Sequence, residues 1–241
     1  DLGEGVSFKA GETQANGEIT IKREGMAVVD YLLPLQLGEC SNNGVICQEE
    51  ICYLKVGRTY TNPIISDKSV PDPTVIRAND GYFYLYATQT STYWMPIYRS
   101  KDLVNWEYQK TAFTQDTKPS LSGGGAFWAP EMTYINGKYV LYFSWAKMNG
   151  ADVSYTAVAV SDSPLGPFPN SKALITNEEF GSNVIDQFYY EENGKKYMFF
   201  GSFKGIYVTE LTDDGLSVKR DVDGMPVLKK QVCGNAFEGT N

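Results

Sequence analysis

Four carboxylates stand out because each opens a stretch of the same design. Asp72-Pro73-Thr74-Val75-Ile76 leads to Asn79-Asp80-Gly81 and the aromatic run Tyr82 to Tyr86. Ala129-Pro130-Glu131-Met132-Thr133-Tyr134 leads to Asn136-Gly137 and then Tyr139 to Trp145. Ile185-Asp186-Gln187-Phe188-Tyr189-Tyr190 leads to Asn193-Gly194 and Tyr197 to Phe200, and Phe237-Glu238-Gly239 begins a fourth copy. The chemistry open to such a set is proton transfer. The sequence contains no histidine, which excludes Ser-His-Asp and Cys-His catalysis and histidine-ligated zinc from these residues. Any acid–base work falls to carboxyl groups.

The elements that must position these groups follow from the flanking residues. A short apolar run ending at Asn-Gly or Asp-Gly, followed by a run rich in Tyr, Phe and Val, predicts a tight β-hairpin in each copy. Asp72, Glu131, Asp186 and Glu238, taken as the openings, lie 59, 55 and 52 residues apart. A period near 50 residues made only of strands and turns predicts an all-β fold, a β-propeller. In a propeller the first strand of each blade lines the central axis, so residues opening those strands converge although they are distant in sequence.

Further strands are predicted between the openings, from Ile97 into the Ser100-Lys101-Asp102 turn with Trp106 in the core, over Tyr155 to Val160, over Gly205 to Leu211, and at Pro226-Val227-Leu228. Ser161 to Phe168, with two prolines and a glycine, reads as a fixed turn. Helical periodicity nowhere persists beyond two turns.

Composition narrows the partners. Lys and Arg number 21 against 29 Asp and Glu, a formal charge of −8, and no long basic run exists to neutralise phosphates, which argues against nucleic acid. Aromatic residues make up 14% of the chain, 17 of them tyrosines. Their rings suit both blade-on-blade packing and stacking on the apolar face of a sugar.

Cys40, Cys47, Cys52 and Cys233 have spacings unlike a zinc ribbon. One disulfide among the first three and free thiols are both compatible with the sequence. No apolar run approaches the ~20 residues of a membrane helix. The chain starts at Asp1 without methionine, as after processing, and the expected location is secreted, periplasmic or bacterial cell-surface, with the signal segment outside the chain.

Residues 1–57 read as a small antiparallel β-sandwich, from short alternating segments at Val6-Ser7-Phe8, Glu18 to Lys22 and Tyr31 to Leu37 between Gly11, Gly17, Gly25 and Gly38. Ala10-Gly11-Glu12-Thr13, Ile19-Thr20-Ile21 and Tyr31 to Leu35 resemble a β-sandwich domain near the N-termini of bacterial surface lipoproteins that handle glycans. Lys55 to Asn62 is the expected linker, and residues 62–241 form the expected propeller unit.

That second unit resembles glycoside hydrolase family 43, on Asp72-Pro73, Trp128-Ala129-Pro130-Glu131, Ile185-Asp186, Glu238-Gly239, the phrase Arg99-Ser100-Lys101-Asp102-Leu103 to Trp106, and Gly166-Pro167-Phe168. The resemblance implies a five-bladed β-propeller, of which about three blades and the start of a fourth are present, so the protein is expected to continue past Asn241 by roughly 100 residues at this repeat length. It implies an inverting glycosidase acting on arabinose- or xylose-containing plant polysaccharides or oligosaccharides, with Asp72 as general base, Glu238 as general acid and Asp186 orienting the acid and raising its pKa.

Glu131 matches an acidic position to which the family gives no proton transfer, so a structural or supporting role is expected. Trp128, with Phe127 and Trp94, is the expected sugar contact. No cofactor is required; a structural Ca2+ on the propeller axis occurs in related propellers, held by residues expected beyond this chain. Gln187 and Thr240 stand where the family often has proline. A non-catalytic glycan-binding propeller is the alternative; a retaining fructan hydrolase and a protein-interaction propeller are further ones. The sugar, its linkage and the oligomeric state are not specified by the sequence.

Overall fold

The computed structural model describes residues 11, 20, 31–36, 51–56, 63–66, 68–122, 125–147, 154–181, 184–202 and 205–234. The chain divides into two compact units, Asp1–Thr61 and Asn62–Asn241. In the first, β1 (Tyr31–Gln36) pairs antiparallel with β2 (Ile51–Val56), with Tyr31 opposite Val56 and Gln36 opposite Ile51. β2 claims Lys55 and Val56 from the expected linker. The expected strands at Val6 to Phe8 and Glu18 to Lys22 lie outside the described residues apart from Thr20, as do Cys40 and Cys47.

The second unit is three consecutive four-stranded antiparallel blades. The first contains β3 (Thr74–Arg77), β4 (Phe83–Tyr86), β5 (Pro96–Ser100) and β6 (Glu107–Thr111). The second contains β7 (Ala126–Ile135), β8 (Lys138–Ala146), β9 (Ser154–Ser161) and β10 (Lys172–Thr176). A single helical turn, α1 (Asn177–Phe180), precedes the third blade of β11 (Phe188–Glu192), β12 (Lys195–Ser202), β13 (Gly205–Leu211) and β14 (Lys230–Cys233). Within each blade the strands follow sequence order, the simple meander that short hairpin connections dictate.

Two of the three inner hairpins have the cause the sequence suggested, while the first is a wider loop from Ala78 to Tyr82, closed by the Ala78 N–H on Tyr82 O at 2.8 Å, in which Gly81 alone has positive φ, 84°. Asn136 and Gly137 take φ of 49° and 82°, and Asn193 and Gly194 take 52° and 75°. Two successive left-handed residues give the type I′ turn, whose twist matches the strands it joins.

Side-chain alternation sorts the core into layers between blades. On β8, Leu141, Phe143 and Trp145 face the first blade's Tyr84, Tyr86, Met95, Ile97 and Phe113. Val140 and Tyr142 face the other way, toward Met198, Phe200 and Leu211 of the third blade. This is the period of two expected of a strand buried on both faces. On β4, Leu85 points away from that first layer, toward Tyr98 with Ile65, Val70 and Trp106.

The Ser100 to Trp106 turn is held by its own polar groups. Ser100 Oγ accepts from the N–H groups of Asp102 and Leu103 at 3.1 and 2.9 Å. Asp102 Oδ1 accepts from those of Val104 and Asn105 at 2.9 and 2.8 Å. Partial burial pushes the Asp102 carboxyl up, but these bonds and the Asn105 side chain outweigh it and hold it well below the usual range.

The outer strands depart from expectation. Pro226-Val227-Leu228 is not a strand; Pro226 makes only an isolated bridge to Arg220, and the fourth strand of that blade is β14. Proline supplies no N–H to a ladder, and β14, exposed at every position, lacks the apolar alternation that would reveal it. Cys233 on β14 is a free, exposed thiol.

Candidate active site

Three residues at matching places open the inner strands. Asp72, Ala129 and Asp186 all have left-handed backbone, with φ of 49°, 40° and 55°, a region that residues with a β-carbon seldom occupy. Ala129 follows Asp72 by 57 residues, and Asp186 follows Ala129 by 57. The second blade therefore opens on Ala129, not on Glu131, which corrects the uneven period obtained by counting carboxylates. A bulge at Ala129 and Pro130 interrupts the β7–β8 register between Trp128 and Glu131.

Glu131 belongs instead with Thr74 and Phe188, two residues further along each inner strand. Its carboxylate accepts from Thr74 Oγ1 at 3.1 Å on one side and from the Tyr189 N–H at 3.4 Å on the other. Burial pushes this carboxyl up, and those two bonds pull it back. Glu131 thus ties β3, β7 and β11 together.

Asp72 and Asp186 occupy equivalent places, each two residues before its inner strand, β3 or β11. Both residues reach solvent, yet the Asp186 carboxyl is raised, first by desolvation and then by the charge of Asp72, against a hydrogen bond from Ser202. Asp72 Oδ2 accepts from Thr88 Oγ1 at 2.6 Å.

The raised carboxyl of Asp186 has a measurable consequence. A folded-state pKa above the unfolded value of ~3.9 means that ionisation opposes folding. The cost is absent below the unfolded pKa and complete above the folded one. Asp186→Asn is therefore expected to melt at a higher temperature than the parent at pH 7, with the gap closing as the pH falls to about 4. A variant melting lower at pH 7 would show that the Ser202 bond outweighs crowding by Asp72.

The aromatic candidates separate. Trp128, immediately before Ala129, is half-buried. Trp94 is half-buried too, packed against Phe127 at 6.2 Å between ring centroids with Lys118 Nζ 5.1 Å from its ring centre. Phe127 is 1% exposed, stacked on Phe113 at 4.4 Å and edge-on to Trp145 at 5.0 Å. It has no free face for a sugar and is a core residue, because alternation on β7 turns it away from the side that Trp128 faces.

Glu238 lies outside the described residues. The described residues contain no group of three or more His, Cys, Asp or Glu that could hold a metal ion. Thr88, Ser144 and Ser202 escaped the sequence reading. Thr88 and Ser144 are visible as matching hydroxyls only once the copies are aligned on Ala129.

Blades that carry carboxylates where their inner strands begin are a scaffold for acid–base chemistry. The chain belongs to the glycosyl hydrolases family 43, whose profile matches residues 60–240. The extracellular endo-α-(1→5)-L-arabinanase 1 of Bacillus subtilis is 30% identical over 156 residues, 61% of this chain and 47% of that protein. The xylan 1,3-β-xylosidase of a Vibrio species is 31% identical over 150 residues, 58% of this chain and 26% of that protein. The crystal structure of an endo-arabinase from Bacteroides thetaiotaomicron matches with a TM-score of 0.54 at 26% identity, over 71% of this chain and 60% of that one. The chain thus spans less than two thirds of each of these three relatives.

Proposed function

We propose that the protein is an inverting glycoside hydrolase acting on arabinose- or xylose-containing plant polysaccharides or oligosaccharides, outside the cell or on its surface. The observation that carries this reading is that Asp72 and Asp186 stand at equivalent openings of the first and third blades, with the charge of Asp72 helping to raise the Asp186 carboxyl, on a chain of family 43. Asp72 takes a proton from water as that water attacks the anomeric carbon. The bond to the leaving oxygen breaks on the opposite face, and that oxygen receives its proton from Glu238. Asp186 orients the acid and, as a neighbouring negative charge, keeps it protonated. One sugar hemiacetal of inverted configuration and one alcohol result. Trp128 and the accessible part of Trp94 supply apolar ring surface to the sugar. The arabinanase and xylosidase relatives support the substrate class, and the extracellular arabinanase supports the location.

The test is to incubate the natural full-length protein with arabinan, xylan and aryl arabinofuranosides, xylosides and galactosides, following the first-formed anomer by proton NMR. Release of arabinose or xylose with inverted configuration is expected. Retained configuration would overturn the mechanism in favour of a covalent intermediate. Binding of a glycan without hydrolysis of any substrate would leave a binding propeller.

A further inference from the structure

The hydroxyls beside the first two openings perform the same task twice. Thr88 follows β4, with its N–H on Pro71 O at 3.0 Å, and its Oγ1 accepts the Ala129 N–H of the next blade at 2.7 Å. Ser144 on β8 stands opposite Trp128, and its Oγ accepts the Asp186 N–H of the next blade at 3.0 Å. In the third blade the matching place, opposite Ile185, is Gly201.

Each hydroxyl, having accepted, has one proton left to give. Thr88 gives it to Asp72 Oδ2. Ser144 has no such partner, because its own blade opens on Ala129, and it gives its proton to Gln187 Oε1 at 3.0 Å. Gln187 Nε2 then donates to the Ala129 carbonyl oxygen. Ala129 joins the two halves through its Cα: the carbonyl that Gln187 reaches belongs to the Ala129–Pro130 peptide, and the N–H that Thr88 accepts belongs to the Trp128–Ala129 peptide. Two runs of donors therefore meet at Ala129, one from the Asp186 N–H through Ser144 and Gln187 to the Ala129 carbonyl, the other from the Ala129 N–H through Thr88 to the Asp72 carboxylate. The Gln187 amide cannot turn over without setting its oxygen against the Ala129 carbonyl.

We propose that this inter-blade relay fixes Asp72 relative to Asp186, making Gln187 and Thr88 positioning residues for the reaction; the inference rests on the glycosidase reading above. Ser144 is 0% and Gln187 5% exposed, so a broken link leaves a buried polar group without water to replace it. Bonds within each run reinforce one another, and the two runs are coupled mechanically because both grip the backbone of Ala129. A base displaced by even ~0.5 Å loses its line on the attacking water.

The test uses the natural full-length protein with Gln187→Met, Thr88→Val, Thr88→Ser and the Gln187→Met/Thr88→Val double variant. Both single variants that break the relay are expected to lose about 10- to 100-fold in kcat, with KM within about threefold of the parent. Thr88→Ser, which keeps the hydroxyl, should stay within about threefold, and the double variant should be no worse than its poorer parent by more than about threefold, because the two act through one chain. Backbone hydrogen exchange gives a second reading that needs no activity. The Ala129 amide is expected to exchange at least about tenfold faster in Gln187→Met, although Gln187 touches only the Ala129 carbonyl.

Parental kcat in both single variants, or losses that multiply in the double, would overturn the relay. Should the parent hydrolyse nothing, the glycosidase reading falls and exchange alone decides: unchanged protection of Ala129 and Asp186 in the variants then overturns the relay as well. Thr88→Val, at a half-exposed site, carries the test if Gln187→Met does not fold.

Discussion

Asp72→Asn is expected to reduce kcat/KM at least about a hundredfold on whichever glycoside the parent cleaves, the scale on which general bases act. The substitution keeps the size of the side chain and an oxygen for the 2.6 Å bond from Thr88 Oγ1, so the melting temperature should not fall, and at pH 7 it should rise slightly because a charge that raises the Asp186 carboxyl is gone. What it removes is the capacity to take a proton from water. Activity within about tenfold of the parent would assign the base to another group. Loss of activity together with a large fall in melting temperature would make Asp72 a structural residue of the hub. Azide or formate supplied in the assay offers a complementary reading, since a small external nucleophile can replace activated water once the base is gone.

Phe127→Ala is expected to produce the largest change in stability, about 3–5 kcal/mol, because a buried aromatic ring is deleted where neighbours close in only partly. The ring is 1% exposed and meets Phe113, Phe143 and Trp145 at centroid distances of 4.4, 5.6 and 5.0 Å. Those partners come from the first and second blades, so the loss falls on the packing between them. Urea unfolding should show a lower midpoint, while KM at a temperature where the variant remains folded stays near the parent value. A raised KM with an unchanged midpoint would return Phe127 to the sugar-contact role first expected of it.

These two residues also mark what the sequence disclosed and what it hid. The place of Asp72 before an inner strand could be read because a short strand, an Asp-Gly or Asn-Gly turn and an aromatic strand recur in order, and turn chemistry is local. Phe127 could not be separated from Trp128 because two adjacent aromatics differ only in the direction each side chain takes, which strand register and the bulge at Ala129 decide. The same bulge explains the choice of Glu131 over Ala129 as an opening. A search for carboxylates passes over a methyl group, although the backbone at Ala129 repeats that of Asp72 and Asp186.

Inner and middle strands were legible from their apolar alternation. β10 and β14 were not, because β14 is exposed at every position and β10 buries the adjacent pair Leu174 and Ile175, so neither shows alternation. Gln187 presented itself only as a departure from the family's usual proline, since its partners Ser144 and Ala129 lie 43 and 58 residues away.

The common backbone of the three openings has one more implication. Asp72, Ala129 and Asp186 hold the same dihedral region with side chains as different as a carboxylate and a methyl group, so the scaffold does not depend on what it carries there. Each opening is a socket with one backbone for two kinds of side chain. A blade can therefore hold a reactive group at this place or go without one while its strands keep their order, as Asp72, Ala129 and Asp186 already do within one chain.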